Sequence, residues 1–151
     1  MFLGLDLGTS AVKALLVDGG GTVIASRSAP LSVERPYQGW SEQDPDSWWR
    51  ATQKAVAALR QDNASSLAAV RAIGLSGQLH GLTALDSAMK PVRPAILWND
   101  TRSAPQAARM DDVHAEFREI GGNAVMPCFT APKPVWMAEH EPELIATTQM
   151  I

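Results

Sequence analysis

One cysteine, Cys128, and three histidines are spread over 151 residues. A lone cysteine cannot build a disulfide framework, and it suits a reducing compartment. His80, His114 and His140 are spaced for no metal site, and the last two fall on expected helices as surface residues. Positive charge is not in excess: the net charge is −3 and the isoelectric point about 5.5. No basic field therefore awaits nucleic acid or an anionic membrane. No run approaches 18 apolar residues, and the N-terminus lacks a basic region leading into a long apolar one. Neither a membrane span nor a signal peptide is expected, and a cytoplasmic protein is. Internal repeats and low-complexity tracts are absent as well. What remains, 46% hydrophobic and 19% charged residues, is ordinary for a globular chain with one real core.

Along the chain, Phe2–Leu7 and Val12–Val17 read as strands joined by a turn at Gly8-Thr9-Ser10. A second turn, Gly19-Gly20-Gly21, leads into a third strand, Thr22–Ser28, giving an antiparallel meander. Pro30–Gln43 reads as loop. Asp44-Pro45 opens a helix, with Asp46 in its first turn and an apolar stripe of Trp48, Ala51, Ala55, Ala58 and Leu59. That helix is expected to stop near Asp62-Asn63. Val70–Leu75 is a nearly continuous apolar run, as in a strand buried on both faces, reached by a parallel crossover. Leu82–Leu85 and Ala95–Trp98 look like short strands linked through Met89-Lys90-Pro91. A helix from Thr101 to about Glu119 follows, capped by Asp100, then a loop over Gly121–Pro127. A last helix starts at Thr130-Ala131-Pro132. The fold class is α/β, with a mixed sheet and flanking helices.

Four stretches could carry chemistry. In "GLDLGTSAVKALLVD" a carboxylate, Asp6, interrupts a strand, where an unpaired buried charge would cost several kcal/mol. Asp6 either sits on a strand face open to water, or reaches a Mg²⁺ ion carried by a phosphate. In the second case Gly8, Thr9 and Ser10 offer backbone N–H groups and hydroxyls to that phosphate. This is no P-loop, since Gly-Lys-Ser/Thr is missing and a strand follows the turn. Lys13 adds charge to such a site or simply points outward. "GLSGQLHG" closes the apolar strand, where ligands of open α/β sheets bind, and offers Gln78 and His80 for hydroxyls. The bland alternative is a loop histidine satisfied by carbonyls. Trp98-Asn99-Asp100-Thr101-Arg102 is either a core tryptophan with a capped helix, or an indole platform for a sugar. Gly39–Asp44 is read as loop anchoring and helix capping.

Taken together, "GLDLGTSAVKALLVD", "GWSEQDPDSWW", "GLSGQLHG", "PAILWNDTR" and "FTAPKPVW" stand in the order and spacing of the FGGY carbohydrate kinases. The resemblance runs from residue 2 to beyond 140, and within the family it is strongest to the branch acting on xylulose. It implies an actin-like (ribonuclease H-like) domain and transfer of the γ-phosphate of Mg·ATP to a sugar hydroxyl. Carried over, Asp6 matches the Mg²⁺-associated acid, and Gly8, Thr9 and Ser10, with Lys13 nearby, match the first phosphate loop. Leu79 and His80 match the pair that contacts a ketose, beside Gln78. Trp98 matches the aromatic residue at the substrate, and Asp100 and Arg102 match the tail of that motif.

The glycerol kinase branch carries Arg-Glu where this chain has Leu79-His80, and Pro-Tyr-Phe where it has Pro127-Cys128-Phe129. A smaller residue at Cys128 leaves room for a longer polyol, so D-xylulose is the expected acceptor and D-xylulose 5-phosphate the product. Ribulose, gluconate and glycerol are the alternatives. Cys128 stands where the xylulose branch carries glycine. Such kinases are roughly three times as long, and their catalytic Asp lies in a Gly-Gly-Gly-Asp-type motif that this sequence does not contain. The expectation is therefore the first part of the N-terminal domain, without the catalytic Asp segment or the C-terminal nucleotide domain, inactive alone. A homodimer is left open. A non-catalytic sugar sensor on the same fold would add a helix-turn-helix or a cysteine cluster, and neither is visible. An actin-like filament or chaperone ATPase has no need of the polyol residues.

Overall fold

The computed structural model describes residues 1–151. It contains two compact units, Met1–Val33 with Asp46–Gln78, and Glu34–Pro45 with Leu79–Ile151. Each has its own core.

In the first unit β1 (Phe2–Leu7), β2 (Ala11–Val17) and β3 (Val23–Pro30) form the expected antiparallel meander. The Asp18 carboxylate accepts from the amides of Gly20 and Thr22 and closes the second turn; these hydrogen bonds hold its carboxyl below the usual carboxylate range. Gly21 takes φ +87° there, which a side chain would resist. Helix α1 (Pro45–Ala68) then leads to β5 (Ala72–Gly77), parallel to β1, in the strand order β3-β2-β1-β5. Odd residues of β1 and even residues of β2 point at α1, whose Ala51, Ala55 and Leu59 pack on Leu3, Val12, Ala14 and Ala29.

Two expectations fail in this unit. The helix does not stop at Asp62-Asn63: Asn63 leaves helical geometry (φ −134°, ψ 34°), the helix kinks, and it resumes to Ala68. The Asn63 side-chain amide donates to the Leu59 carbonyl, offering the backbone a local alternative to the helical ladder. Nor is the apolar run around Ile73 buried on both faces. Strand β5 is the sheet edge, and all six of its residues are exposed, Ile73 at 59% and Leu75 at 76%. Both share the α1 side with their register partners Leu3 and Leu5, but the buried stripe of α1 is spent on β1 and β2.

The second unit pairs two short strands, β4 (Glu42–Gln43) and β6 (Ala95–Ile96), so the expected loop from Pro30 to Gln43 ends in a strand. Leu82, Ala84, Ile96, Trp136 and Met137 make its core. Leu82–Leu85 is not a continuous strand. It contributes single bridges, Leu82 to Ile96 and Leu85 to Pro91 and Met150. The turn through Met89 (φ +60°) is present, held by Asp86 accepting from the amides of Ala88 and Lys90. The expected helix from Thr101 to Glu119 is two helices, α2 (Ala104–Val113) and α3 (Glu116–Gly121), broken where His114 takes φ −122°, ψ 78°. Its N-cap is Ser103, not Asp100. Helix α4 (Pro132–His140) starts at proline as expected, and α5 (Pro142–Thr147) follows it. No helix is long and apolar enough to cross a membrane.

Candidate functional site

In the first unit the turn between β1 and β2 is tight. The Gly8 N–H donates to Ala11 O at 3.1 Å, and a Cβ at Gly8 would lie 3.0 Å from that oxygen. Glycine is therefore needed there for close approach. Its amide is consumed by the turn, so the expected run of three consecutive free donors is shortened. The Thr9 hydroxyl donates to Gln78 Oε1 at 3.2 Å, joining the turn to the residue after β5, and Ser10 is exposed.

Asp6 is exposed, so its place in a strand carries no burial cost. It lies opposite Lys13 on β2 and Ser76 on β5, and all three share the sheet face turned away from α1. Opposed side chains on one face start about 5 Å apart at Cβ, within reach of one another. With Gly4 and Gly74 they line an open groove of about 300 Å³. Lys13 points outward, and does so beside the acid.

In the second unit Leu79 and His80 are exposed, and His80 adopts φ +61°, an uncommon conformation for a residue with a side chain. Its carbonyl accepts from Lys133 Nζ at 2.8 Å. The same ammonium donates to the carbonyls of Cys128 and Phe129, each at 2.8 Å. Three donors meet three acceptors. The His80 ring lies 4.9 Å from the Phe129 ring, centroid to centroid. Lys133 thus brings together His80 and Cys128, far apart in sequence. The antiparallel bridge between Leu82 and Ile96, continued two residues, carries His80 to the end where Trp98 stands, 45% exposed.

Asp100 and Arg102, expected at the sugar, are placed differently. Asp100 is fully buried; its carboxylate accepts from the Ser41 amide at 2.6 Å and from the Arg102 amide and Nε at 2.9 Å each. Arg102 also pairs with Glu42, and its guanidinium carbon sits 3.6 Å from the centre of the Trp40 ring. Glu42 in turn pairs with Arg93, which reaches Glu141. A buried carboxylate needs such compensation, and providing it leaves no face for a substrate. These residues hold the loops Gly39–Gln43 and Trp98–Arg102 in place. Gly39 belongs to the same device: it has φ +79°, and a Cβ on it would meet Thr101 Oγ1 at 2.6 Å. The anchoring expected of Gly39–Asp44 is what Ser41, Glu42 and Gln43, all buried, provide. His114 and His140 are exposed, as expected.

Residues 1–151 match the profile of the FGGY family of carbohydrate kinases, N-terminal domain. The chain belongs to this family. It is 47% identical over 144 residues to the xylulose kinase of Escherichia coli (strain K12), a match covering 95% of this chain and 29% of that protein. Among solved structures, a protein described as a xyloylose kinase from Brucella ovis superposes with a TM-score of 0.95 at 50% identity, over 97% of this chain and 31% of the other. The xylulose kinase from Rhodospirillum rubrum gives 0.88 at 31% identity, over 97% and 30%. The chain therefore spans about 30% of the length of these relatives.

FGGY kinases act on sugars, and the donor set can be tested against Mg·ATP. No group of three or more acidic, histidine or cysteine side chains could hold a metal by itself. One exposed carboxylate, Asp6, beside a tight Gly-Thr-Ser turn, fits a Mg²⁺ brought in by phosphates, which needs only one or two protein carboxylates. Sequence reasoning missed two residues of this chain. Ser76 becomes visible only through its register with Asp6. Lys133 carried a signal: in "FTAPKPVW" it stands three and four residues before the buried Trp136 and Met137, on the apolar stripe of α4, where a lysine is out of pattern.

Proposed function

We propose that this chain supplies the first phosphate-binding turn and sugar-binding residues of a kinase that transfers the γ-phosphate of Mg·ATP to D-xylulose, giving D-xylulose 5-phosphate. The observation that supports this most is the wall built on His80. An exposed imidazole, its backbone fixed on Lys133, stands at the same end as an exposed indole, Trp98. A polyol needs that combination: an apolar ring face for its C–H groups and a ring nitrogen that donates to or accepts from its hydroxyls. The xylulose kinases among the relatives support the choice of acceptor.

In this reading Gln78, Leu79, His80, Trp98 and Cys128 serve the sugar. Thr9, Ser10 and Lys13 serve phosphate oxygens, and Asp6 faces the metal through its water shell. Gly8 keeps the turn tight. Asp100 and Arg102 position the loop that carries Trp98. When bound, Mg²⁺ would neutralise phosphate charge; the residues of this chain orient the acceptor and the phosphates around it. The chain is assigned to the first part of the N-terminal domain, and the proton-accepting carboxylate and the adenosine surface to residues outside it. The test is sugar-dependent ADP release by the protein that carries this chain in full, with D-xylulose, D-ribulose, gluconate and glycerol as acceptors. D-Xylulose is expected to give the highest kcat/KM, and a higher value for any of the others would overturn the assignment.

A further inference from the structure

Lys133 is a long cationic side chain with no exposure, and its ammonium makes no ion pair. Burying a charge without a counter-ion in direct contact is expensive, and a chain that needed only packing at this position would carry leucine or methionine. The ammonium returns three hydrogen bonds at 2.8 Å, and all three acceptors are backbone carbonyls of segments that carry candidate sugar residues. One belongs to His80, whose φ of +61° costs about 1 kcal/mol or more and persists only when the surroundings over-determine it. The other two belong to Cys128 and Phe129, and the Phe129 ring lies against the His80 ring. Only a protonated lysine offers three donors from one compact centre.

We propose that Lys133 is a positioning residue for the acceptor sugar. From the first turn of α4 its ammonium pins the carbonyl of His80 and the carbonyls of Cys128 and Phe129 to one point, so that the imidazole and the 127–129 segment form one wall of fixed spacing. Without it the His80 backbone relaxes out of the left-handed region, and the imidazole leaves the place where a hydroxyl would meet it. This rests on the sugar reading of His80 given above.

The experiment compares Lys133→Met, Lys133→Gln, His80→Ala and, as a packing control, Met137→Ala in the protein that carries this chain in full. KM for D-xylulose, KM for ATP and the thermal midpoint are measured for each. Lys133→Met is expected to raise KM for D-xylulose at least tenfold with KM for ATP within twofold. Lys133→Gln, which keeps two donors, is expected to fall between Lys133→Met and the unaltered protein. Met137→Ala removes buried volume from the same helix, and is expected to lower the thermal midpoint while KM for D-xylulose stays within twofold. If Lys133→Met and Met137→Ala shift the two KM values alike, or if both Lys133 variants fail to fold while Met137→Ala folds, Lys133 serves stability alone and the proposal is wrong. If His80→Ala raises KM for D-xylulose and Lys133→Met does not, only the role of Lys133 falls. If His80→Ala leaves KM for D-xylulose unchanged, the sugar reading falls first.

Discussion

Two aspartates, Asp6 and Asp100, show how far residue type can mislead without its surroundings. Asp6 interrupts a strand and is open to solvent; Asp100 follows an exposed tryptophan and is sealed from it. The first is available to a ligand and the second is not. Replacing Asp6 with alanine in the protein that carries this chain is expected to leave the thermal midpoint nearly unchanged, because an exposed side chain off the core contributes little. Phosphotransfer should fall by about 10²-fold or more, the scale of losing one charge-stabilising group at a phosphoryl transfer. Near-normal turnover would return Asp6 to a surface residue. Asp100→Asn should do the opposite. It removes charge from a buried network in which Arg102 also depends on Glu42, and breaking such a pair costs about 3 kcal/mol or more. A clear fall in the urea midpoint is expected, and an unchanged midpoint would mean that the network is not needed for folding.

At the scale of elements, the sequence was most readable where the pattern is local. The meander, its two turns and the start of α1 at Pro45 follow from glycine clusters, strand alternation and a proline at the first helical position. Apart from the local breaks at Asn63 and His114, what failed depended on neighbours far along the chain. The run around Ile73 has the composition of a central strand, yet β5 is an edge, because nothing in a composition states how many strands lie beyond it. Asp100 reads as a helix cap until Ser41 and Arg102 claim its oxygens. The His80 loop was visible as a motif, whereas the residue that holds it sits more than fifty positions later, in α4. Helix α4 also carries a pH prediction. Burial pushes the Lys133 ammonium down to about 8, with Asp100 and Cys128 opposing the shift, against about 10.4 for a free lysine. Between those values the unfolded chain binds more protons than the folded one, so this group's contribution to stability rises with pH across the window. Urea unfolding at pH 7.5 and 9.5 should therefore show the unaltered protein gaining about 2 kcal/mol relative to Lys133→Met. A difference that is flat, or of opposite sign, would mean that the three carbonyls keep the ammonium protonated well above 8.

At the scale of the molecule the question is what these 151 residues can do by themselves. They cover about 30% of the length of the xylulose kinases they match, and they hold the tight Gly8-Thr9-Ser10 turn in one compact unit and the His80 wall in another. Phosphoryl transfer needs the phosphates, the metal and the acceptor hydroxyl in line, with a carboxylate placed to take the proton. Asp100, the first acid one would nominate for that proton, is fully buried and hydrogen-bonded on both oxygens, so it cannot reach a sugar. Asp6 is the exposed acid beside the Gly8-Thr9-Ser10 turn; in the role proposed for it, facing a metal, a carboxylate is a poor proton acceptor while the cation stands beside it. The sheet edge adds a second handicap: β5 leaves Ile73 and Leu75 open along an unpaired strand, a template for association between chains. The 151-residue chain alone is thus expected to release no ADP in response to D-xylulose and Mg·ATP, to bind the sugar at millimolar concentration or weaker, and to self-associate as its concentration rises. Sedimentation velocity and a coupled ADP assay on the same purified sample test all but the affinity, which titration calorimetry reads. Replacing Leu75 with lysine should suppress the association without creating turnover. Sugar-dependent turnover in either sample would mean that a proton-accepting carboxylate lies within these residues after all, with Asp6 the acid to remove first.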